Sequence, residues 1–313
     1  MAVRRIRRDE GLRATITRSR PLVDPRTGEH VGAASAAVLL GGRLFCVQDD
    51  ALSGVWVDPL TLSIAKVALI GEGQRLPKKK KRDFEAAFAA PDGSIFVLGS
   101  GGTERRKLVV RYDPTSEDVD VMDAAPLHAA MEARLGRAPN IEGAVLLGDV
   151  VRLFHRANGK AAGHNASFDV TLETLGSGGD RIEDEARYDL GTVTLEAASA
   201  SQGPYRAPGG QDATGVALTF TDATVMADGR IVFLAGAEDT ADAIADGPVL
   251  GAAIGLLEGE GGRLAMLVEA DGRPSHRKVE GVALVPGGAL VVTDPDDVDR
   301  PSELCEVALE GRW

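Results

Sequence analysis

A hairpin frame that recurs along this 313-residue chain constrains its fold more than any other feature. Between Lys278 and Asp294 the sequence runs from an acid-glycine step (Glu280-Gly281) into a short apolar strand. A glycine turn, a second apolar strand and a closing aspartate follow. The same frame spans Asp83 to Gly99, turning at Asp92-Gly93, and Asn140 to Arg156, turning at Gly148-Asp149. It recurs from Phe220 to Gly236, turning at Asp228-Gly229, and from Ala34 to Asp49, turning at Gly41-Gly42. The lead positions are Ser35, Glu85, Glu142, Asp222 (with Thr221 beside it) and Glu280, so successive gaps are 50, 57, 80 and 58 residues. Repetition at tens of residues signals a unit that buries its faces only against copies of itself. Each hairpin is followed by room for two further strands, and four-stranded units repeated radially make a β-propeller. The expected fold is therefore all-β, a five-bladed β-propeller.

The last frame is one strand short, because only Glu303–Leu309 follows Asp294. The alternating stretch Leu12–Arg18 precedes the first frame and has no nearby hairpin partner. It is expected to complete the last blade as its outermost strand, closing the ring and removing a sheet edge. Residues 1–11 are expected as a flexible tail and 12–313 as one propeller domain. Matched turns at Asp58-Pro59 and Asp113-Pro114 support the repeat independently of the lead residues. Leu127, Met131 and Leu135 mark a short helix over 126–137, ending near Gly136. The long gap is assigned to an insertion loop at about 196–212, rich in Ala, Ser, Gly, Pro and Gln.

With 35 basic against 47 acidic residues the formal charge is −12, which excludes general nucleic-acid binding, since that needs a basic footprint. Cys46 and Cys305 are the only cysteines, each inside an apolar strand pattern, and two distant thiols form no disulfide framework. The basic N-terminus leads into no apolar signal region, and no apolar run approaches the length of a membrane span. A protein without membrane association and with a cytoplasmic location is expected.

In a propeller the first strand of each blade lines the axial channel, so the lead residues converge. Carboxylates from Glu85, Glu142, Asp222 and Glu280, with the Ser35 hydroxyl, cannot all stay ionised at close range without a proton or a cation among them. Hard oxygen ligands in a ring suit Ca²⁺. The alternative is that these acids bond the exposed N–H edges of neighbouring inner strands. Basic residues gather in the loops on the same face: Arg82 after a lysine run, Arg105, Arg156 and Lys278. A cation ringed by such groups would suit a small anionic, phosphate-like ligand, with Asp49 or Asp50 positioning water. Gly99–Gly102 is no P-loop, since no helix follows it. No nucleophile elbow, Cys-x-x-Cys pair or zinc-protease motif is present.

The set Ser35, Glu85, Ile141-Glu142-Gly143, Phe220-Thr221-Asp222 and Val279-Glu280-Gly281 resembles the calcium-activated nucleotidases (soluble apyrases), whose axial ring reads Ser, Glu, Glu, Ser, Glu. The Thr221-Asp222-Ala223, Ala237-Glu238-Asp239 and Asp296-Asp297 neighbourhoods are similar to bacterial propeller proteins of no assigned function. The resemblance implies a five-bladed propeller with axial calcium and, in an enzyme, hydrolysis of a phosphate ester or anhydride. Two other readings stand beside it: a binding module whose metal only pins the inner strands, and a lactonase- or esterase-like propeller.

Overall fold

Repeated turn chemistry gives repeated strands. Asp58 and Asp113 each accept, on the side chain, the amide two residues on, at 2.8 Å from Leu60 and from Thr115. Their carbonyls accept the amides of Leu62 and Glu117, which adopt φ of 60° and 62°. The two Asp-Pro turns are thus one structure used twice. The structure, a computed structural model, describes residues 2–77, 80–157, 163–194, 215–240, 247–297 and 299–313. The insertion loop expected at about 196–212 lies outside them.

The chain opens with β1 (Val3–Arg8) and β2 (Arg13–Pro21). An antiparallel meander follows: β3 (Ala34–Leu40), β4 (Arg43–Gln48), β5 (Ser53–Val57) and β6 (Ile64–Ala68). The next is β7 (Phe84–Ala89), β8 (Ile95–Gly99), β9 (Leu108–Tyr112) and β10 (Val119–Asp123). After α1 (Ala125–Leu135) come β11 (Ile141–Leu147), β12 (Val150–His155) and β13 (Asn165–Thr171), then α2 (Leu172–Ser177) and β14 (Asp184–Asp189). A two-stranded ribbon, β15 (Thr192–Val193) with β16 (Val216–Ala217), leads to β17 (Thr219–Val225), β18 (Ile231–Glu238), β19 (Val249–Glu258) and β20 (Gly261–Glu269). The last unit is β21 (Val279–Val285), β22 (Gly288–Thr293) and β23 (Glu303–Glu310). Its fourth strand is β2, antiparallel to β23 with Ala14 opposite Leu309. The expected helix is α1, stopped by Gly136 in the left-handed conformation at its C-cap.

Residues 2–11 differ from the expected tail. β1 runs parallel to β14 through Val3–Arg5 and parallel to β20 through Ile6–Arg8. Ile6 is buried in the core between those sheets and Arg4 lies over the Tyr188 ring. The basic composition hid this, because the long arginines flank a single buried isoleucine.

Neighbouring units pack face to face, and each gap holds its own apolar cluster. Phe45, Trp56, Phe84 and Val97 fill one. Phe154, Phe220 and Phe233 fill another, with ring centroids 5.0 and 5.3 Å apart in edge-on contact. The first strands of the units also pack in cyclic order, β3 on β7, β7 on β11, β11 on β17, β17 on β21 and β21 on β3. This close approach explains two glycines. A Cβ on Gly143 would lie 3.1 Å from the Asp222 Cα, and one on Gly281 would lie 2.8 Å from the Ala36 carbonyl carbon. Cys46 and Cys305 are buried and unpaired. No helix among the described residues is long and apolar enough to cross a membrane.

Candidate functional site

Each first strand breaks register with its hairpin partner at one residue. The bulged residues are Ser35, Glu85, Glu142, Thr221 and Glu280. A β-bulge re-aims the side chain at its position, so a bulge repeated in every unit repeats the aim. The fourth lead is therefore Thr221, and Asp222 sits one position later, where the other units carry Ala36, Ala86, Gly143 and Gly281. Asp222 is 1% exposed and accepts the Val282 amide at 2.8 Å; the Ala37 and Ala223 amides also point at it. Burial holds its carboxyl well above the usual range against those donors. Through these amides Asp222 ties three inner strands together.

Two further frame positions build the rest of the site. In four of the five units the residue two before the bulge and the residue closing the hairpin are joined by a backbone hydrogen bond: Asp49 to Ala33, Ser100 to Asp83, Arg156 to Asn140 and Asp294 to Lys278. Their side chains stand together at one end of the first strands.

The charged groups there divide into two sets. On one side the guanidinium of Arg156 donates to Glu142 at 3.3 Å and to Glu238 at 2.6 Å, and lies 3.9 Å from Glu280. Arg156, Glu142, Glu238 and Glu280 are all under 8% exposed. Lys278 pairs with Glu280 at 3.6 Å, with Asp294 at 3.5 Å and with Asp296. On the other side one oxygen each of Asp49, Asp83 and Glu85 lie within 4.8 Å of one another, the metal-compatible acid group found among the described residues. Lys81 pairs with Asp49 and, at 3.4 Å, with Asp83, which also takes Arg106 at 2.6 Å and the Ser100 hydroxyl at 2.5 Å.

The acids remain under strain despite these cations. Burial pushes Asp49 up to about 7 and Glu280 up to about 8. Glu85 is held well above its ordinary range by burial and then by Asp83, Glu142 and Asp49. Burial also raises Glu142, against the pull of Arg156. Glu280 Oε2 and Thr221 Oγ1 are buried with no hydrogen-bond partner among the described residues. Ser35 donates its hydroxyl to the Phe84 carbonyl, beside Glu85.

A cavity of about 210 Å³ opens over this end, lined by Asp49, Asp50, Lys81, Lys278, Asp294, Asp296 and Asp297 with Ala33, Leu76 and Pro77. Of the residues expected to bind an anion, only Lys278 lines it. Arg82 donates to the Arg105 carbonyl and Arg105 is exposed, while Arg156 is buried among glutamates. Two lining residues, Ala33 and Asp296, hold φ of 50° and 53°, and nearby Asp83 holds 56°. Non-glycine residues in that region store strain of order 1–3 kcal/mol and cluster at functional sites. Asp83, Glu238 and Asp294 were not among the expected site residues. The repeat positions bounding the frame, rather than its lead position alone, are the signal that finds Asp83 and Asp294. His155, buried, accepts the Asn140 amide at 2.9 Å, and burial lowers it to about 3, so it serves the scaffold.

The solved structures that this chain is similar to are β-propeller-like. An α-L-arabinofuranosidase from Podospora anserina, in complex with cellotriose, aligns with TM-score 0.50 and 12% identity over 96% of each chain, a likeness of fold. Regucalcin from Agrobacterium tumefaciens, a calcium-binding protein, aligns with TM-score 0.48 and 11% identity over 96% of this chain and 97% of its own. A gluconolactonase from Xanthomonas campestris aligns with TM-score 0.47 and 9% identity over 94% and 90%. A search of curated proteins returns no match. Residues 30–309, from before the first hairpin to the last residue but one of β23, match one family, and the chain belongs to that family of unknown function, DUF6929.

Proposed function

We propose that the chain is a five-bladed β-propeller, closed by β2, that binds Ca²⁺ at the mouth of its axis and hydrolyses a small neutral ester or lactone there. The cyclic packing of the first strands supports the blade count, and the pairing of β2 with β23 supports the closure. The observation that carries the functional reading is the convergence of Asp49, Asp83 and Glu85 beside an acid-lined cavity.

The donor set fits the ion. Carboxylate oxygens are the hard ligands calcium takes. The pairing of Lys81 with Asp49 and Asp83 supports the view that these groups hold positive charge. Bound there, calcium would polarise a substrate oxygen as a Lewis acid. Asp50 borders the same cavity with Oδ1 lacking a hydrogen-bond partner among the described residues, a position from which it orients water and accepts its proton. The substrate class follows from charge. Five aspartates line the cavity, and both of its lysines are already paired. A free phosphate-like anion would meet like charge, whereas a neutral acyl group would not.

The test is calcium stoichiometry by equilibrium dialysis, with lactone, aryl-ester and nucleoside-diphosphate hydrolysis measured in calcium and in chelator. Lactone or ester turnover lost in chelator, and calcium binding weakened at least tenfold by Asp83→Asn or Glu85→Gln, is the expected result. A native protein that binds no calcium at millimolar concentration and hydrolyses none of these overturns it.

A further inference from the structure

The axial acids raise a separate question, because one side of the channel already contains a cation supplied by the chain. We propose that Arg156 is the built-in cation of the axis, and that the space its guanidinium fills is a latent divalent-cation site formed by Glu142, Glu280 and Thr221. Glu142 and Glu280 are bulge residues of β11 and β21, so both are aimed at the same space. Arg156 reaches them from the end of β12, held at 2.6 Å by Glu238. Its fit is incomplete. It donates to Glu142 at 3.3 Å but stands 3.9 Å from Glu280, and Lys278 comes no nearer to Glu280 than 3.6 Å.

Two oxygens are left over. Glu280 Oε2 and Thr221 Oγ1, on residues 3% and 2% exposed, have no hydrogen-bond partner among the described residues. The guanidinium, with its donors fixed in one plane, is engaged by Glu142, Glu238 and the Thr219 hydroxyl, whereas a spherical cation coordinates in every direction. Native structures rarely bury unpaired oxygens, and these two belong to the bulge residues of β21 and β17, inner strands beside Glu142. Arg156 thus keeps the inner axis independent of divalent cations. The inference stands on the axial geometry alone and does not depend on whether Asp49, Asp83 and Glu85 take calcium.

The experiment compares calcium equivalents bound per chain, by equilibrium dialysis at pH 7.5, for the native protein, Arg156→Met, Arg156→Lys and Arg156→Met/Glu280→Gln. Arg156→Met is expected to bind one equivalent more than the native protein and to gain thermal stability on calcium addition. Arg156→Lys, which keeps the charge, and the double variant are expected to bind no extra equivalent. A native protein that binds none, beside an Arg156→Met that binds one, defeats the mouth site and leaves this inference standing. An unchanged stoichiometry in Arg156→Met, an extra equivalent that survives Glu280→Gln, or an Arg156→Met chain that stays unfolded in millimolar calcium overturns it.

Discussion

Raising the pH in the presence of chelator should destabilise this protein across a range where most proteins are indifferent. Glu280 is 3% exposed, and burial moves its carboxyl from 4.5 in an open chain to about 8 when folded. Between those values the folded chain keeps a proton that the unfolded chain has released. Stability is therefore full below pH 4.5 as far as this group is concerned, and falls as pH rises toward 8. A tenfold difference in proton affinity between the folded and open chains is worth about 1.4 kcal/mol, so Glu280 alone contributes a loss on the order of 4 kcal/mol. At about 2.1 cal/mol/K per residue, a chain of 313 residues has an unfolding entropy near 0.7 kcal/mol/K. The melting temperature should then drop by about 6 °C between pH 5 and pH 8.5. Asp49, raised to about 7 in the same way, steepens the fall below neutrality. Thermal and urea unfolding followed by circular dichroism at half-unit pH steps measure the slope. Glu280→Gln should remove most of the part above pH 7, and calcium should flatten the part below it. A native profile flat from pH 5 to 8.5 in chelator, or one that Glu280→Gln leaves unchanged, would refute the electrostatics described for the axis.

Three other outcomes are expected. Gly281→Ala would place a methyl 2.7 Å from a Val292 methyl and 2.8 Å from the backbone at Ala36 and Ala37, costing about 1–3 kcal/mol in urea unfolding. Ile6→Ala should cost about 2–4 kcal/mol, since Ile6 fills the gap between β14 and β20; a change under about 0.5 kcal/mol would show that β1 adds nothing to the core. Cys46 and Cys305, pushed by burial up to about 12 and 11, should ignore a thiol reagent in the native protein and release two equivalents in denaturant.

Much of this architecture was legible in the sequence because the repeat is local. The hairpin turns, the Asp-Pro turns and the lead residues each sit a few positions apart, and the strands appear where those signals fall. The N-terminal strand Leu12–Arg18 was legible as well, from the strand missing after Asp294, and its partner β23 is the one that absence pointed to. What was not legible depended on reach. Arg156 reads from the sequence as one more cation beside an anion site, and only its 6% exposure among three glutamates gives it another role. Asp222 and Thr221 are neighbours in the chain, and the register shift between Phe220 and Asp222 decides which of them is the lead. Arg82 and Arg105 share the basic loops with Lys278, yet side-chain direction keeps them from the cavity.

The parallel pairings of β1 and β2 bear on how the chain is made. A ribosome releases Val3 and Ala14 well before the strands they run beside, which begin at Asp184 and Gly261, and before β23. Both strands must wait, unpaired, until those partners emerge. The arginines that crowd β1 suit that delay, since charge on a waiting strand discourages it from finding the wrong edge.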